Sequence, residues 1–261
     1  MILQVSSRAV YELPAQTFVL LMIEPPLVGE SHRVLDENLV TTPTPRTELW
    51  NDIYANPQRR FVAPAGRFSF EFSARVEAAP NEALPDDLPE HAPDEIPAQC
   101  MIYTVPSRYC QSDKLTRLAL SEFGDLPMGG SRVNAIARWI HQKLEYQYGT
   151  SDAMTDAFDT ATSRIGVCRD FAHLLISFCR ALGIPARYVS GYCLELEPPD
   201  FHAYVQVYLG GKWHNVDATF EGVRPAFVPI AVGRDAADVA ITTLFGASKF
   251  IEQSVSVERE N

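Results

Sequence analysis

The pair Gly210-Gly211 separates two short segments, 202–209 and 212–217, that are rich in β-branched and aromatic residues. A Gly-Gly pair is typical of a two-residue β-hairpin turn, because this turn needs positive φ angles that other residues adopt reluctantly. Residues at equal distances from the turn face each other, so Tyr204 lies opposite Asp217. The two segments are therefore predicted to form an antiparallel hairpin whose register follows from the sequence.

Segments with helical periodicity come before this hairpin and do not alternate with strands. Apolar residues recur at intervals of three and four over about 112–123, 131–145 and 168–182, and Gly183 followed by Pro185 ends the last segment. A further β-rich segment, 187–196, follows. Helices followed by strands indicate an α+β fold, in which a helix packs on an antiparallel sheet.

The first 79 residues carry a different pattern. A continuous apolar run occupies 17–23, apolar and polar residues alternate over 68–76, and prolines recur between them too often for a long helix. Residues 80–105 contain no Lys or Arg, and their repeated acidic residues and prolines indicate a solvated, extended connector. We therefore predict a β domain over 1–79, the connector over 80–105 and a second domain over 106–261. The connector either tethers the first domain or lies across the cleft as an acidic lid.

Charge excludes several classes of partner. The net charge is −11, and a negative chain repels phosphate backbones and anionic lipids, so we expect no nucleic acid and no membrane as partners. The apolar run Phe18–Ile23 is too short to span a bilayer and lacks the flanks of a signal peptide. A cytoplasmic location is therefore predicted. The sequence carries no signal for an oligomeric state.

Five cysteines are present, and none belongs to a Cys-x-x-Cys pair. Their number is odd, so at least one thiol is free, and their spacings match no common zinc site. The Walker A, Gly-x-Ser-x-Gly and His-Glu-x-x-His motifs are absent as well. We therefore expect no metal and no cofactor.

Cys168 stands at the predicted start of the helix over 168–182. Unpaired backbone N–H groups and the positive end of the helix dipole stabilise a thiolate at such a position, so Cys168 is the candidate nucleophile. The alternative is that Cys168 is a small apolar residue of the core, because Cys is among the most frequently buried residue types. The other four cysteines are assigned to that class: Cys100, Cys110, Cys179 and Cys193.

The hairpin places a histidine and a carboxylate on one face. His202 lies two residues from Tyr204, so it is a diagonal neighbour of Asp217, about 7–8 Å away at the backbone. Cys168, His202 and Asp217 are thus a candidate catalytic triad. One extra residue in the turn would send His202 and Asp217 to opposite faces. The other face is apolar and belongs to the core: Ala203, Val205, Val207 and Leu209.

The remaining histidines are weaker candidates. His173 lies five residues into the helix, out of line with Cys168, and His214 is predicted on the opposite strand face from Asp217. Asp170 is expected to complement the helix N-terminus. The last three histidines are interpreted as solvated side chains: His32, His91 and His141.

Three segments resemble the bacterial transglutaminase-like proteins, which have the papain-like cysteine enzyme fold: GVCRDFAHLLISFCRALGIPARYVSGY, FHAYVQVYLGGKWHNVDAT and VGRDAADVA. The resemblance is strong over about 106–246, beginning with SRYCQSD. It is weaker in the first domain, where DIYAN resembles an Asp-x-Phe-Gly-Asn motif that ends a β-sandwich-like domain. It implies a transglutaminase-like catalytic domain in which Cys168 is the nucleophile, His202 the base and Asp217 the residue that orients the imidazole. Two positions depart from the family pattern: Ala218 stands where Pro is usual, and Ala55 where Gly is usual.

The triad and the resemblance together imply a cysteine-dependent enzyme that cleaves amide or peptide bonds through a thioester, with a peptide or protein amide as its partner. Two alternatives stay open: transfer of the acyl group to an amine, as in a transglutaminase, and a non-catalytic binding module on the same fold. Tyr204 and Tyr208, on the face of His202, are expected to give some aromatic lining. The Cys168 N–H is a candidate oxyanion donor, and the second donor stays open among preceding residues that include Trp139, Gln142 and Gln147.

Overall fold

The computed structural model describes residues 1–260. The strands of the first part are β1 (Ile2–Leu13), β2 (Thr17–Leu21), β3 (His32–Thr42), β4 (Glu48–Asn51), β5 (Pro57–Ala63) and β6 (Gly66–Ala78). The middle part contains α1 (Ser112–Phe123), α2 (Gly130–Lys143), β7 (Glu145–Tyr146), α3 (Ala157–Ser163), β8 (Ile165–Gly166) and α4 (Cys168–Ala181). The last strands are β9 (Ala186–Cys193), β10 (His202–Leu209), β11 (Lys212–Val216), β12 (Phe227–Gly233), β13 (Thr242–Phe245) and β14 (Lys249–Arg259).

The N-terminal part is a sandwich of two four-stranded sheets, with strand orders β14-β1-β6-β3 and β13-β2-β5-β4. Period-two alternation produces its core, because successive side chains of a strand point to opposite sides. The aromatic face of β6 points inward, and Phe68, Phe70 and Phe72 are at most 2% exposed. The sandwich confirms the β-sandwich-like first domain of the predicted fold.

Both sheets of the sandwich are completed by the end of the chain. β14 pairs with β1, with Val5 opposite Val257, and β13 pairs with β2, with Phe245 opposite Phe18. The predicted boundary, which assigned all of 106–261 to the second domain, does not account for this return of the chain. The sequence alone could not predict this pairing, because β14 is an edge strand with mostly exposed residues and its partner strand, β1, lies more than 230 residues away.

The connector is docked on the second domain at several points, while most of its other residues are exposed. The backbone N–H of Gly130, at the start of α2, donates to the Leu88 carbonyl at 2.9 Å. A Cβ at Gly130 would lie 1.8 Å from the Pro85 carbonyl oxygen, so only glycine permits this approach. Glu90 forms a buried ion pair with Arg132 at 3.5 Å. The acidic composition of the connector gave no indication of these packing contacts.

The second domain contains an antiparallel sheet of strand order β11-β10-β9-β12, against which α4 packs. The apolar stripe of α4 is fully buried, with Leu175, Phe178 and Cys179 at 0% exposure. The predicted hairpin register is confirmed, because Leu209 faces Lys212 and both turn glycines have positive φ. This arrangement confirms the α+β class and the helix-start cysteine packed on an antiparallel sheet.

One α-helix, α3, was not predicted from the sequence. Its N-terminus is a capping box: the Asp156 carboxylate accepts from the Asp159 N–H at 3.0 Å, and the Asp159 carboxylate accepts from the Asp156 N–H at 3.2 Å. Such reciprocal acceptance satisfies backbone donors that a helix start leaves free. The signal was present as Asp-x-x-Asp, but the helix is too short to show a periodic stripe.

The DIYAN segment joins the sandwich to the second domain. Asn56 is 2% exposed, and its amide bonds both backbone groups of Val232 in β12 at 2.8 Å. The Asp52 carboxylate accepts from the backbone N–H groups of Tyr54 and Asn56, which holds the turn. Ala55 has a φ of 65°, in the left-handed region. The family's usual glycine at this position therefore has a conformational reason.

We expect Ala55→Gly to raise the free energy of unfolding by about 0.5–1 kcal/mol, because glycine removes the left-handed strain at a modest entropic cost in the unfolded chain. Urea denaturation followed by circular dichroism measures the change. Ala79→Gly is the matched control, since Ala79 is exposed and outside the positive-φ set, and it should be neutral or slightly destabilising. A loss of stability in Ala55→Gly would contradict the explanation.

Candidate active site

Cys168 is the first residue of α4, and the loop before it is fixed by Asp170. The buried Asp170 carboxylate accepts from the Val167 N–H at 2.8 Å and from the Ser151 hydroxyl at 2.9 Å. A Cβ at Gly166 would lie 2.7 Å from the Cβ of Asp170, so glycine allows the carboxylate to fold back under the loop. Cys168 is partly exposed, whereas the other four cysteines are buried. The expected role of Asp170 at the helix start agrees with these contacts.

His202 begins β10 and Asp217 follows β11, and their side chains meet across the hairpin. The His202 Nε2–H donates to Asp217 Oδ2 at 2.7 Å. The second carboxylate oxygen, Oδ1, accepts from the Thr219 N–H at 2.9 Å and from its hydroxyl at 2.7 Å. These bonds fix the ring tautomer. His202 Nδ1 is buried and has no hydrogen-bond partner among the described residues.

The electrostatics of the pair follow from burial and mutual contact. Burial lowers the pKa of His202, but the hydrogen bond to Asp217 and the proximity of Cys168 outweigh the effect of burial and raise that pKa to about 10. Burial also opposes ionisation of Asp217, while His202 and Thr219 together hold the pKa of that carboxyl below its usual value. Cys168 thus lies within the electrostatic reach of His202, and the structure brings the three predicted residues together. Both pKa shifts favour the ionic form of the His202–Asp217 pair, with the positive charge on His202.

Tyr146 is a site residue that the sequence analysis missed. It pairs with Gly166, two residues before Cys168, in the short β7–β8 bridge, and its ring packs edge-to-face on Tyr148 with centres 5.4 Å apart. Burial, the charge of Cys168 and the Tyr148 hydroxyl raise the pKa of Tyr146. Nothing in the sequence distinguishes a two-residue bridge from a loop, so only the fold reveals this contact.

Two of the three side chains considered for the second oxyanion donor, those of Trp139 and Gln142, lie elsewhere. The Trp139 indole N–H donates to Glu122 at 2.9 Å, and its ring lies under Arg164. Gln142 lines a cavity beside the connector. Gln147 is held through its backbone N–H, which donates to the Gly166 carbonyl at 2.9 Å.

Arg224, in the loop after β11, is a second residue that the sequence did not single out. Its Nε lies 3.6 Å from Asp217 Oδ2, and its Nη1 donates to the Glu195 carbonyl at 3.2 Å. The guanidinium carbon stacks 4.1 Å from the centre of the Phe220 ring. Asp217 therefore faces two cationic side chains.

Two cavities meet at Arg224. The smaller, the histidine cleft, measures about 160 Å³ and is lined by Tyr146, Tyr148, Leu196, Glu197, His202, Thr219 and Arg224. The larger, the connector cavity, measures about 270 Å³ and lies between connector residues 81–84, α2 and Asp217. Within the described chain, the connector therefore borders the second cavity and does not line the histidine cleft.

Tyr204, Tyr208 and His173 all pack against other aromatic rings. Tyr204 is 1% exposed and stacks on Phe227 with ring centres 4.1 Å apart, so it does not line the cleft. Tyr208 packs near the hairpin turn against Trp213. His173 is buried between two tyrosines, and burial lowers its pKa well below the usual value.

The three histidines interpreted as solvated all have partners. His32 is 6% exposed and donates from Nε2 to the Pro26 carbonyl at 2.8 Å, so that interpretation is wrong for this residue. His91 accepts from the Gly211 N–H at 2.9 Å, and His141 Nδ1 lies 3.3 Å from the Ala218 carbonyl oxygen. The partners of His91 and His141 come from distant segments, whereas Pro26 lies six residues before His32.

Within residues 1–260, no group of three or more His, Cys, Asp or Glu side chains is arranged to hold a metal ion. None of the helices described is long and apolar enough to cross a bilayer.

Comparisons with known proteins identify the family of the chain. Residues 120–218 match the family model of the transglutaminase-like superfamily. A crystal structure named as a putative cysteine protease from Cytophaga hutchinsonii is 38% identical, with a TM-score of 0.92 over 99% of this chain and 90% of that chain. The chain belongs to the transglutaminase-like superfamily.

One further relative of this transglutaminase-like chain matches only in part, and one solved structure is similar at low identity. The uncharacterized protein ML0607 of Mycobacterium leprae is 39% identical over 120 residues, which are 41% of this chain and 42% of that protein. The match thus spans about two fifths of the curated relative. The periplasmic domain of TgpA from Pseudomonas aeruginosa is 18% identical, with a TM-score of 0.42 over 82% of this chain and 87% of that domain.

Proposed function

We propose that the protein is a cysteine-dependent acyl-transfer enzyme that cleaves amide or peptide bonds through a thioester. The observation that carries this proposal is the 2.7 Å bond from His202 Nε2 to Asp217, because it leaves Nδ1 as the ring atom for Cys168. A helix-start thiol, an imidazole and a carboxylate in this order have the chemistry of a nucleophile, a base and an orienting group.

In the proposed reaction, His202 Nδ1 holds the proton taken from the Cys168 thiol. The Cys168 sulfur attacks the amide carbonyl carbon, and a C–S bond forms as the carbonyl oxygen gains negative charge. His202 then donates its proton to the leaving nitrogen, the C–N bond breaks, and a thioester remains. Water, deprotonated by Nδ1, attacks the thioester and releases the acid and the Cys168 thiol. Asp217 holds the ring in the tautomer that these steps need.

The oxyanion is proposed to be held by two donors, the Cys168 backbone N–H and the Tyr146 hydroxyl. Supporting this, Tyr146 pairs with Gly166, two residues before Cys168 at the N-terminus of α4, where the helix dipole also favours negative charge. Because its pKa is raised, the Tyr146 hydroxyl keeps its proton and remains a donor across the working pH range. Tyr146 is 40% exposed, so its hydroxyl is within reach of a substrate at the site.

Hydrolysis is the proposed outcome, with transfer to an amine as the alternative. A transamidase needs a channel that admits an amine and excludes water. The aromatic side chains at the histidine cleft are Tyr146 and Tyr148, which are 40% and 55% exposed and form one edge-to-face pair. Such an open wall favours access of water to the thioester.

A peptide or protein amide is the proposed substrate, and the charge of −11 argues against nucleic acid as a partner. A cytoplasmic location stays a prediction. It accords with five cysteines that are all unpaired, because a reducing compartment keeps thiols in that form.

Iodoacetamide labelling separates an enzyme from a binding module. We expect the wild-type protein to be alkylated at Cys168 near neutral pH and Cys168→Ala to lose both the label and amide turnover while remaining folded. Cys179→Ala is the matched control, because Cys179 is 0% exposed and burial raises the pKa of its thiol. It should keep label and turnover. Peptide mapping that places the label on Cys179 would refute the assignment.

Removing the Tyr146 hydroxyl tests the oxyanion donor. Tyr146→Phe should lower kcat for amide hydrolysis by about 10²–10³-fold, the usual loss for one such donor. Alkylation by iodoacetamide forms no oxyanion, so its rate should change by less than about threefold if thiol activation is intact. Tyr148→Phe, measured in parallel, keeps the aromatic wall and should lower kcat much less. Equal losses of alkylation and turnover would assign Tyr146 to thiol activation instead.

Partition of the thioester decides between hydrolysis and transamidation. Peptide anilides and glutamine-containing peptides are incubated with the enzyme and an excess of a primary amine, and mass spectrometry counts acid and amide products. We expect free acid to dominate, because water reaches the open cleft. Amine incorporation that outpaces acid release would replace the hydrolase proposal with the transglutaminase alternative.

A further inference from the structure

Arg224 reaches the active site from the loop between β11 and β12, the same loop that carries Asp217 and Thr219. Its Nε lies 3.6 Å from the Asp217 oxygen that accepts the His202 bond, and its side chain is 12% exposed. The Glu195 carbonyl and the Phe220 ring fix the guanidinium on its other sides. Nε is buried and has no hydrogen-bond partner among the described residues. A cation is thus held in place beside the triad carboxylate.

The two cations compete for one oxygen. Asp217 Oδ1 is occupied by both donors of Thr219, so Oδ2 faces His202 and Arg224 together. A guanidinium remains charged at every working pH. Positive charge on the ring is therefore stabilised by Asp217 and opposed by Arg224.

We propose that Arg224 is a positioning residue that shares the Asp217 carboxylate with His202 and limits how firmly the ring holds its proton. The inference rests on the proposed acyl-transfer function. In that reaction His202 gives its proton to the leaving amine, and a ring stabilised by Asp217 and the thiolate without opposition would be a poor acid. Arg224 counterbalances that stabilisation while leaving the orienting bond in place.

The other charged or titratable groups around His202 come from separate elements. Cys168 faces it from α4, and Asp217 from the end of β11. The Tyr146 and Tyr148 hydroxyls and the Glu197 carboxylate line the histidine cleft with it. Among the described residues lining that cleft, Arg224 supplies the permanent positive charge, so its removal has a defined sign.

The test is the NMR titration of His202 in Cys168→Ala protein, which removes the thiolate and leaves Asp217 and Arg224 beside the ring, with Glu197 also lining the cleft. Adding Arg224→Met should raise the titration midpoint of His202 by about one pH unit, which corresponds to about tenfold tighter proton binding. Arg224→Gln, which keeps hydrogen-bonding groups without the charge, should shift it in the same direction. Arg224→Lys keeps the positive charge and should return the His202 midpoint to that of the Cys168→Ala protein. Arg138→Met is the matched control, since Arg138 lines the connector cavity without a salt bridge to Asp217.

A midpoint that is unchanged or lowered in both neutral variants, in protein that is folded by circular dichroism, would overturn the proposal. Kinetics in the Cys168 enzyme provide a second readout. Arg224→Gln should slow cleavage of an alkyl amide more than cleavage of a thioester, whose leaving group needs no proton from His202. Equal slowing of both substrates also contradicts the role. If the wild-type protein cleaves no amide, the proposed function fails, while the titration still decides the effect of Arg224.

Discussion

The register of the β10–β11 hairpin is the constraint on which the site depends. Side chains alternate with a period of two, so a slip of one residue would turn His202 into the core layer and separate it from Asp217. The two glycines of the turn prevent that slip, because both have positive φ and close the hairpin without an extra residue. The 2.7 Å bond between His202 and Asp217 is a direct consequence of this local geometry.

Features governed by short-range geometry could be predicted from the sequence, and those made by distant segments could not. The helix start at Cys168, the hairpin register and the shared face of His202 and Asp217 follow from periodicity and turn chemistry. Tyr146 enters through a two-residue bridge to Gly166, and Arg224 through the return of an irregular loop. The pairing of β14 with β1 joins opposite ends of the chain. None of these three contacts leaves a periodic trace in the segments that make it.

The sandwich supports the site through β12. Asn56 bonds both backbone groups of Val232, and Tyr54 donates to Asp238 at 2.9 Å just beyond that strand. β12 also carries Phe227, whose ring lies parallel to that of His202 with centres 6.2 Å apart. The edge strand that backs the imidazole is thus anchored by the first domain. Strain at Ala55 in the joining turn would then act on the alignment of the site as well as on stability.

Burial of the ion pair bears on whether the fold is an enzyme or a scaffold. The side chains of His202 and Asp217 are 1% and 6% exposed, and removing two charges from water opposes folding unless every polar atom is satisfied. Asp217 is fully satisfied, but His202 Nδ1 is buried without a partner among the described residues. A binding module would gain stability from an apolar pair of similar size at these positions. An unsatisfied ring nitrogen near a helix-start thiol therefore favours a group held ready for proton transfer over a structural one.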